Sequence, residues 1–274
     1  MPGADERALP VSSSTPPEFA PEQRALFVEV LSLFSAYRIP FAVSGAFALH
    51  EHTGIWRDTK DLDLFLSLED VPRALAALAS EGFETEICDP VWLCKARRGD
   101  YFVDLITGMS NAVIAVHRDW IERAGKAEVL GVPVKVLAAE ELIASKVFVT
   151  RRERFDGADI VHVIRGAAEK LDWNRVLNLL GEHWMILLWA LVLYQYIYPA
   201  HSEIVPRAIW NDLLSRLRDE LDHPDSLATF RGSLIDDKMF AIDVEEWGMA
   251  NLNEQMRNEK DQMRPGLKHD EGTE

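Results

Sequence analysis

Near Leu137 the hydrophobic pattern of this chain changes period, and that change limits the fold more than any other feature. Before it, short apolar runs bounded by Gly, Pro and Asp alternate with helix-period segments; after it, the apolar segments have helical spacing. The pattern predicts an α+β chain, with a mixed sheet and flanking helices over residues 23–137 followed by an all-helical C-terminal domain over residues 138–250. A Ser/Thr/Pro-rich lead-in over residues 1–22 and a polar tail over residues 251–274 are expected to be disordered.

In the first half, Leu26, Phe27, Val30, Leu31 and Phe34 share one helical face, and Pro40 stops that helix. Phe41, Ala42 and Val43 read as a short buried strand, and Ser44-Gly45-Ala46 turns it into a helix reaching His52. Leu62, Leu64 and Leu66 then alternate with Asp61, Asp63 and Phe65, a period of two that puts both aspartates on one strand face. A helix over residues 67–80, strands over 83–87, 92–96 and 101–106, and a hairpin over 129–134 complete this half. Helices are expected over residues 140–150, 156–168, 173–180, 184–198 and 206–221 in the second half.

Composition narrows the function. A net charge of −16 over 274 residues opposes a broad basic surface, so no extended nucleic-acid interface is expected, although a local site can still take a nucleic-acid end. Cys88 and Cys94 fit no metal or redox spacing and no secreted disulfide framework, and the start of the chain resembles no signal peptide, so a cytoplasmic location is expected. Residues 184–198 are uncharged and strongly apolar, but shorter than the roughly 20 residues a spanning helix needs, and are read as a buried core helix with no membrane contact.

Two carboxylates two residues apart on a strand hold oxygens close enough to bind a divalent cation, and hard oxygen ligands suit Mg²⁺. Taken alone, the Asp-x-Asp pair of Asp61 and Asp63 also reads as the wet side of an edge strand, and Gly45 as an ordinary turn glycine. Gly45 can equally let backbone N–H groups at a helix start approach a phosphate.

The stretch over residues 42–66 decides between these readings. Its strand, Ser44-Gly45 turn, short helix and following strand with Asp61 and Asp63, preceded by the Arg57 to Asp61 string Arg-x-Thr-Lys-Asp, resemble the nucleotidyltransferase superfamily. That superfamily includes DNA polymerase β, minimal nucleotidyltransferases and abortive-infection toxin nucleotidyltransferases. This chain departs from many members in beginning the turn with Ser44 and in a slightly long loop before Asp61. The resemblance implies two Mg²⁺ ions and an NTP substrate, with Asp61 and Asp63 as catalytic metal ligands and Asp104 as the third. Asp104 stands among apolar residues, where an unpaired charge is costly. Nucleotide contacts are implied for Ser44, Gly45, Arg57, Lys60 and Lys146, the last of which also reads as a surface lysine. Asp156 and Asp159 are read as bracing their helix, His50-Glu51-His52 as lacking ligand spacing, and Arg231 as within reach of a phosphate.

The implied reaction moves an NMP from an NTP to a hydroxyl acceptor, which can be a protein, a tRNA end or a small molecule. An antitoxin is a possible partner protein under the toxin-type resemblance. The alternative is a catalytically inactive nucleotide-binding or regulatory module of the same fold.

Overall fold

The computed structural model describes residues 15–262, so the first fourteen residues of the lead-in and the end of the tail lie outside the described residues. The described residues form two compact units, one of residues 15–138 with 257–262 and one of residues 139–256.

The first unit opens with helix α1 (Pro21–Ala36), whose proline sits in the first turn, where a missing N–H leaves no hydrogen bond unmade. Its Leu26, Phe27, Val30, Leu31 and Phe34 are buried, each stabilising the unit by roughly 1.5–3 kcal/mol. Strand β1 (Ala42–Val43), helix α2 (Gly45–Thr53) and strand β2 (Asp63–Phe65) follow. Helix α3 (Val71–Ser80) then leads into strands β3 (Glu84–Asp89), β4 (Leu93–Arg98) and β5 (Tyr101–Ile106). Helix α4 (Arg118–Arg123) and the hairpin of β6 (Gly125–Val129) and β7 (Val132–Val136) close the unit.

The seven strands form one mixed sheet in the order β3-β4-β5-β2-β1-β7-β6. Strands β2 and β5 run parallel, as do β1 and β7, while β1 and β2 run antiparallel. Leu62, Leu64 and Leu66 are fully buried, and so are Val103 and Leu105 on the neighbouring strand. The central strands are thereby fixed by their leucines, and their aspartates keep partial access to solvent. Asp61 does not share the strand with Asp63 as expected: β2 begins at Asp63, and Asp61 lies in a bend just before it. The extended pairing still reaches Leu62, whose carbonyl accepts the Asp104 N–H at 3.0 Å.

The second unit contains helices α5 (Ala139–Lys146), α6 (Gly157–Ala167), α7 (Trp173–Leu180), α8 (Trp184–Ile197) and α9 (Arg207–Asp222). Short helices α10 (Gly232–Ile235) and α11 (Ala241–Glu245) follow. A small hairpin of β8 (Thr150–Arg151) and β9 (Arg154–Phe155), absent from the sequence reading, interrupts the helices. Helix α8 buries Leu187, Leu188, Leu191 and Tyr194 but leaves Trp189, Val192 and Tyr196 exposed, so it is amphipathic by position although apolar all round. The stretch Trp173–Ile197 is long and apolar enough to cross a membrane by length and composition, with 39% of its window buried inside the protein.

The frayed tail expected from residue 251 is instead helical at first, in α12 (Leu252–Gln262). Its Arg257 donates to the Ser110 carbonyl and the Asp89 carboxylate, each at 2.8 Å, and Lys260 donates to the Ala112 carbonyl. Specific partners for basic side chains order a segment that apolar content alone would leave loose.

Candidate catalytic site

The turn after β1 is built by its neighbour. Ser44 is buried in extended backbone, and its N–H donates to the Asp63 carbonyl at 2.9 Å. Gly45 starts α2 with φ +59°, a left-handed conformation that side chains other than glycine seldom adopt. A Cβ at Gly45 would stand 2.0 Å from Oδ2 of Asp63. The turn and the second aspartate are therefore in direct contact, and only the absence of a side chain at Gly45 makes room.

Asp63 pairs in parallel register with Asp104 of β5, and Asp104 pairs in antiparallel register with Lys95 of β4. These cross-strand pairs put Lys95, Asp104 and Asp63 in one row across the sheet. Asp61 joins from the preceding bend, where the Thr59 hydroxyl donates to its Oδ1 at 2.9 Å. Each of Asp61, Asp63 and Asp104 offers an oxygen such that the three lie within 4.8 Å of one another. Among the described residues, this is the group of three His, Cys, Asp or Glu side chains close enough to hold a metal ion. Burial pushes the Asp104 carboxyl above the usual carboxylate range; the Lys95 ammonium opposes the shift and the Asp61 charge adds to it.

Asp104 is thus not isolated. Lys95 Nζ donates to its Oδ1 at 2.7 Å, with side-chain exposures of 18% for the lysine and 13% for the aspartate. Sequence reasoning missed Lys95 because its partner lies across a hairpin, and only the antiparallel register of β4 and β5 places the two side by side.

The other expected residues divide. Arg57 and Lys60 lie in the loop leading to Asp61; Lys60 is exposed, and its carbonyl accepts from Gln23 at 2.8 Å, which anchors that loop to α1. His50 stacks on Trp56 at 4.0 Å between ring centroids, and His52 Nε2 meets the Leu137 carbonyl at 2.7 Å, so the two histidines serve different contacts. Arg231 pairs with Glu182 at 3.2 Å.

Lys146, expected at a phosphate, is buried in the second unit, with Nζ 2.7 Å from Asp156 and 2.9 Å from Asp159. Burial raises the Asp156 carboxyl, but Arg154 and Lys146 together bring it below its usual value. A carboxylate lowered in this way stabilises the fold above the unfolded-state value of about 3.9, and that stabilisation is lost as the pH falls through the folded value. Lys146→Met is expected to destabilise the fold by about 3–5 kcal/mol near pH 7, because it leaves buried carboxylates short of a counter-charge. Urea titrations at several pH values check this: the deficit shrinks as the pH falls through the lowered Asp156 value and that carboxyl takes up its proton.

The family model described as "Nucleotidyl transferase of unknown function (DUF2204)" matches residues 23–181, more than half of the chain. The chain belongs to this nucleotidyltransferase family. No curated protein matches it. Among solved structures it is similar to the antibiotic-resistance factor ANT(2'')-Ia, with 17% identity and a TM-score of 0.42 over 64% of this chain and 97% of that one. It is also similar to the lincosamide antibiotic adenylyltransferase LnuA, with 14% identity and a TM-score of 0.37 over 53% and 98%. A third is an antigenic nucleotidyltransferase-like protein from Paracoccidioides brasiliensis, with 16% identity and a TM-score of 0.43 over 68% and 93%. The protein is a nucleotidyltransferase-fold enzyme with a mixed sheet and flanking helices.

Proposed function

We propose that this nucleotidyltransferase moves an NMP from an NTP to a hydroxyl acceptor in a Mg²⁺-dependent reaction, using Asp61, Asp63 and Asp104. The observation that carries this reading is the convergence of three carboxylate oxygens within 4.8 Å, beside a glycine turn that opens a helix. The donor set is all hard oxygen, which fits Mg²⁺ rather than a softer metal. When bound there, Mg²⁺ would neutralise phosphate charge and lower the pKa of the acceptor hydroxyl.

The chain's own residues do the positioning. The backbone at Gly45 opens α2 toward negative charge, and no side chain stands between that turn and Asp63. Thr59 orients Asp61, and the sheet register orients Asp63 and Asp104. Asp104, with Oδ1 held by Lys95, would accept the proton of the attacking hydroxyl on its other oxygen. Arg57 and Lys60 supply positive charge in the loop before Asp61, whereas Lys146 has a bracing task among Asp156 and Asp159.

The surplus of 45 acidic over 29 basic residues favours a small or cationic acceptor over a long polyanion. Two thiols without a disulfide agree with a cytoplasmic location. A toxin role with an antitoxin partner would be a matter of which acceptor is used, and growth arrest on expression tests it.

The deciding experiment supplies each NTP with label on either the α- or the γ-phosphate, Mg²⁺, and in separate reactions hydroxylated cationic small molecules, tRNA and cell-extract protein. The α-label is expected on one acceptor class, with pyrophosphate released in equal amount. Transfer of the γ-label instead would overturn the proposal.

A further inference from the structure

The row of side chains across β4, β5 and β2 holds a cation of the protein's own. Lys95 Nζ sits 2.7 Å from Asp104 Oδ1 and 4.0 Å from the centroid of the Phe102 ring. Asp104 is directly opposite Lys95 in the strand register, and Phe102 is two residues earlier on the same strand face. A carboxylate on one side and an aromatic face on the other fix the ammonium in place.

That placement has a consequence for metal binding. An ammonium and a divalent cation bound to the same carboxylate repel each other at close range, in a setting where the aspartate is only 13% exposed and solvent screens weakly. Lys95 flanks Asp104 directly, while β5 stands between β4 and the strand that carries Asp63, so the ammonium's charge falls on one side of the carboxylate cluster.

We propose that Lys95 is a positioning residue that occupies one oxygen of Asp104 and so restricts the carboxylate cluster, in the absence of nucleotide, to a single tightly held divalent cation beside Asp61 and Asp63. The inference rests on the metal-dependent reading above.

The test counts Mn²⁺ ions bound by the full chain without nucleotide, using electron paramagnetic resonance of free Mn²⁺ and the dipolar signature of paired ions. Wild type is expected to bind one ion. Lys95→Met is expected to bind two, with the second dissociation constant at least tenfold lower than in wild type, and Lys95→Arg to remain at one. Lys126→Met, an equal loss of charge at an exposed position on β6, is also expected to remain at one. Two ions in wild type, or one in Lys95→Met, would overturn the inference while leaving the transferase reading intact. No binding by any form would overturn both. Should Lys95→Met fail to fold, Lys95→Gln, which removes the charge and keeps a polar side chain, takes its place with the same expected count of two.

Discussion

Asp63→Asn is expected to lower NMP transfer by on the order of 10³-fold without destabilising the protein, and Asp61→Asn to do nearly the same. Each substitution keeps the side chain's shape and removes one anionic ligand from a cluster whose oxygens lie within 4.8 Å. The loss in rate follows from weaker cation binding, which is worth several kcal/mol to the transition state. Stability should move the other way. The Asp61 charge acts to raise the Asp104 carboxyl, so the two carboxylates repel in the folded protein, and Asp61→Asn relieves that repulsion by up to about 1 kcal/mol. The Thr59 hydroxyl can still donate to the side-chain oxygen of the asparagine, so the bend before β2 keeps its support. Thermal melts with and without Mg²⁺ complete the test, because a cation that binds the native state raises the wild-type midpoint. That rise is expected to vanish in Asp63→Asn. Transfer that persists in either variant would sink the assignment of these aspartates.

The site was legible in the sequence to the extent that it is local. Asp61, Asp63, Ser44 and Gly45 fall within one short stretch, where leucine alternation and a glycine turn report the backbone directly. Asp104 could be picked out because a charge among Tyr101, Phe102, Val103, Leu105 and Ile106 needs a partner. The partner itself was not legible. Lys95 becomes relevant only through the pairing of two antiparallel strands, and nothing in its immediate neighbours sets it apart from other lysines. Lys146 shows the reverse problem: a lysine in an apolar helix invites a ligand, but Asp156 and Asp159 come round at the start of the next helix to neutralise it. The helical order of α12 was hidden for a related reason, since Arg257 and Lys260 find their acceptors more than a hundred residues back in the chain. Period and punctuation report local backbone; ion pairs across strands or distant segments do not register in either.

Gly45→Ala separates the turn's geometry from its stability. A Cβ there would meet Asp63 Oδ2 at 2.0 Å and Cγ at 3.0 Å, and alanine would also have to hold φ +59°. The strain of a positive φ costs about 1–2 kcal/mol. The clash adds less to stability than the distance implies, because the atom struck is the far end of a rotatable side chain and Asp63 can swing aside. It cannot do so without leaving its place beside Asp61 and Asp104, and displacements near 1 Å in a reacting constellation cost roughly 10²-fold in rate. The expected result is therefore a modest fall in urea stability together with at least a hundredfold loss of transfer and weaker Mn²⁺ binding. Gly82→Ala provides the comparison: its φ is +79°, and a Cβ there meets nothing within 4 Å. It should lose similar stability and keep its activity. If both alanine variants transfer equally well, the approach of Gly45 to Asp63 has no part in catalysis, and the turn serves only to reverse the chain between β1 and α2.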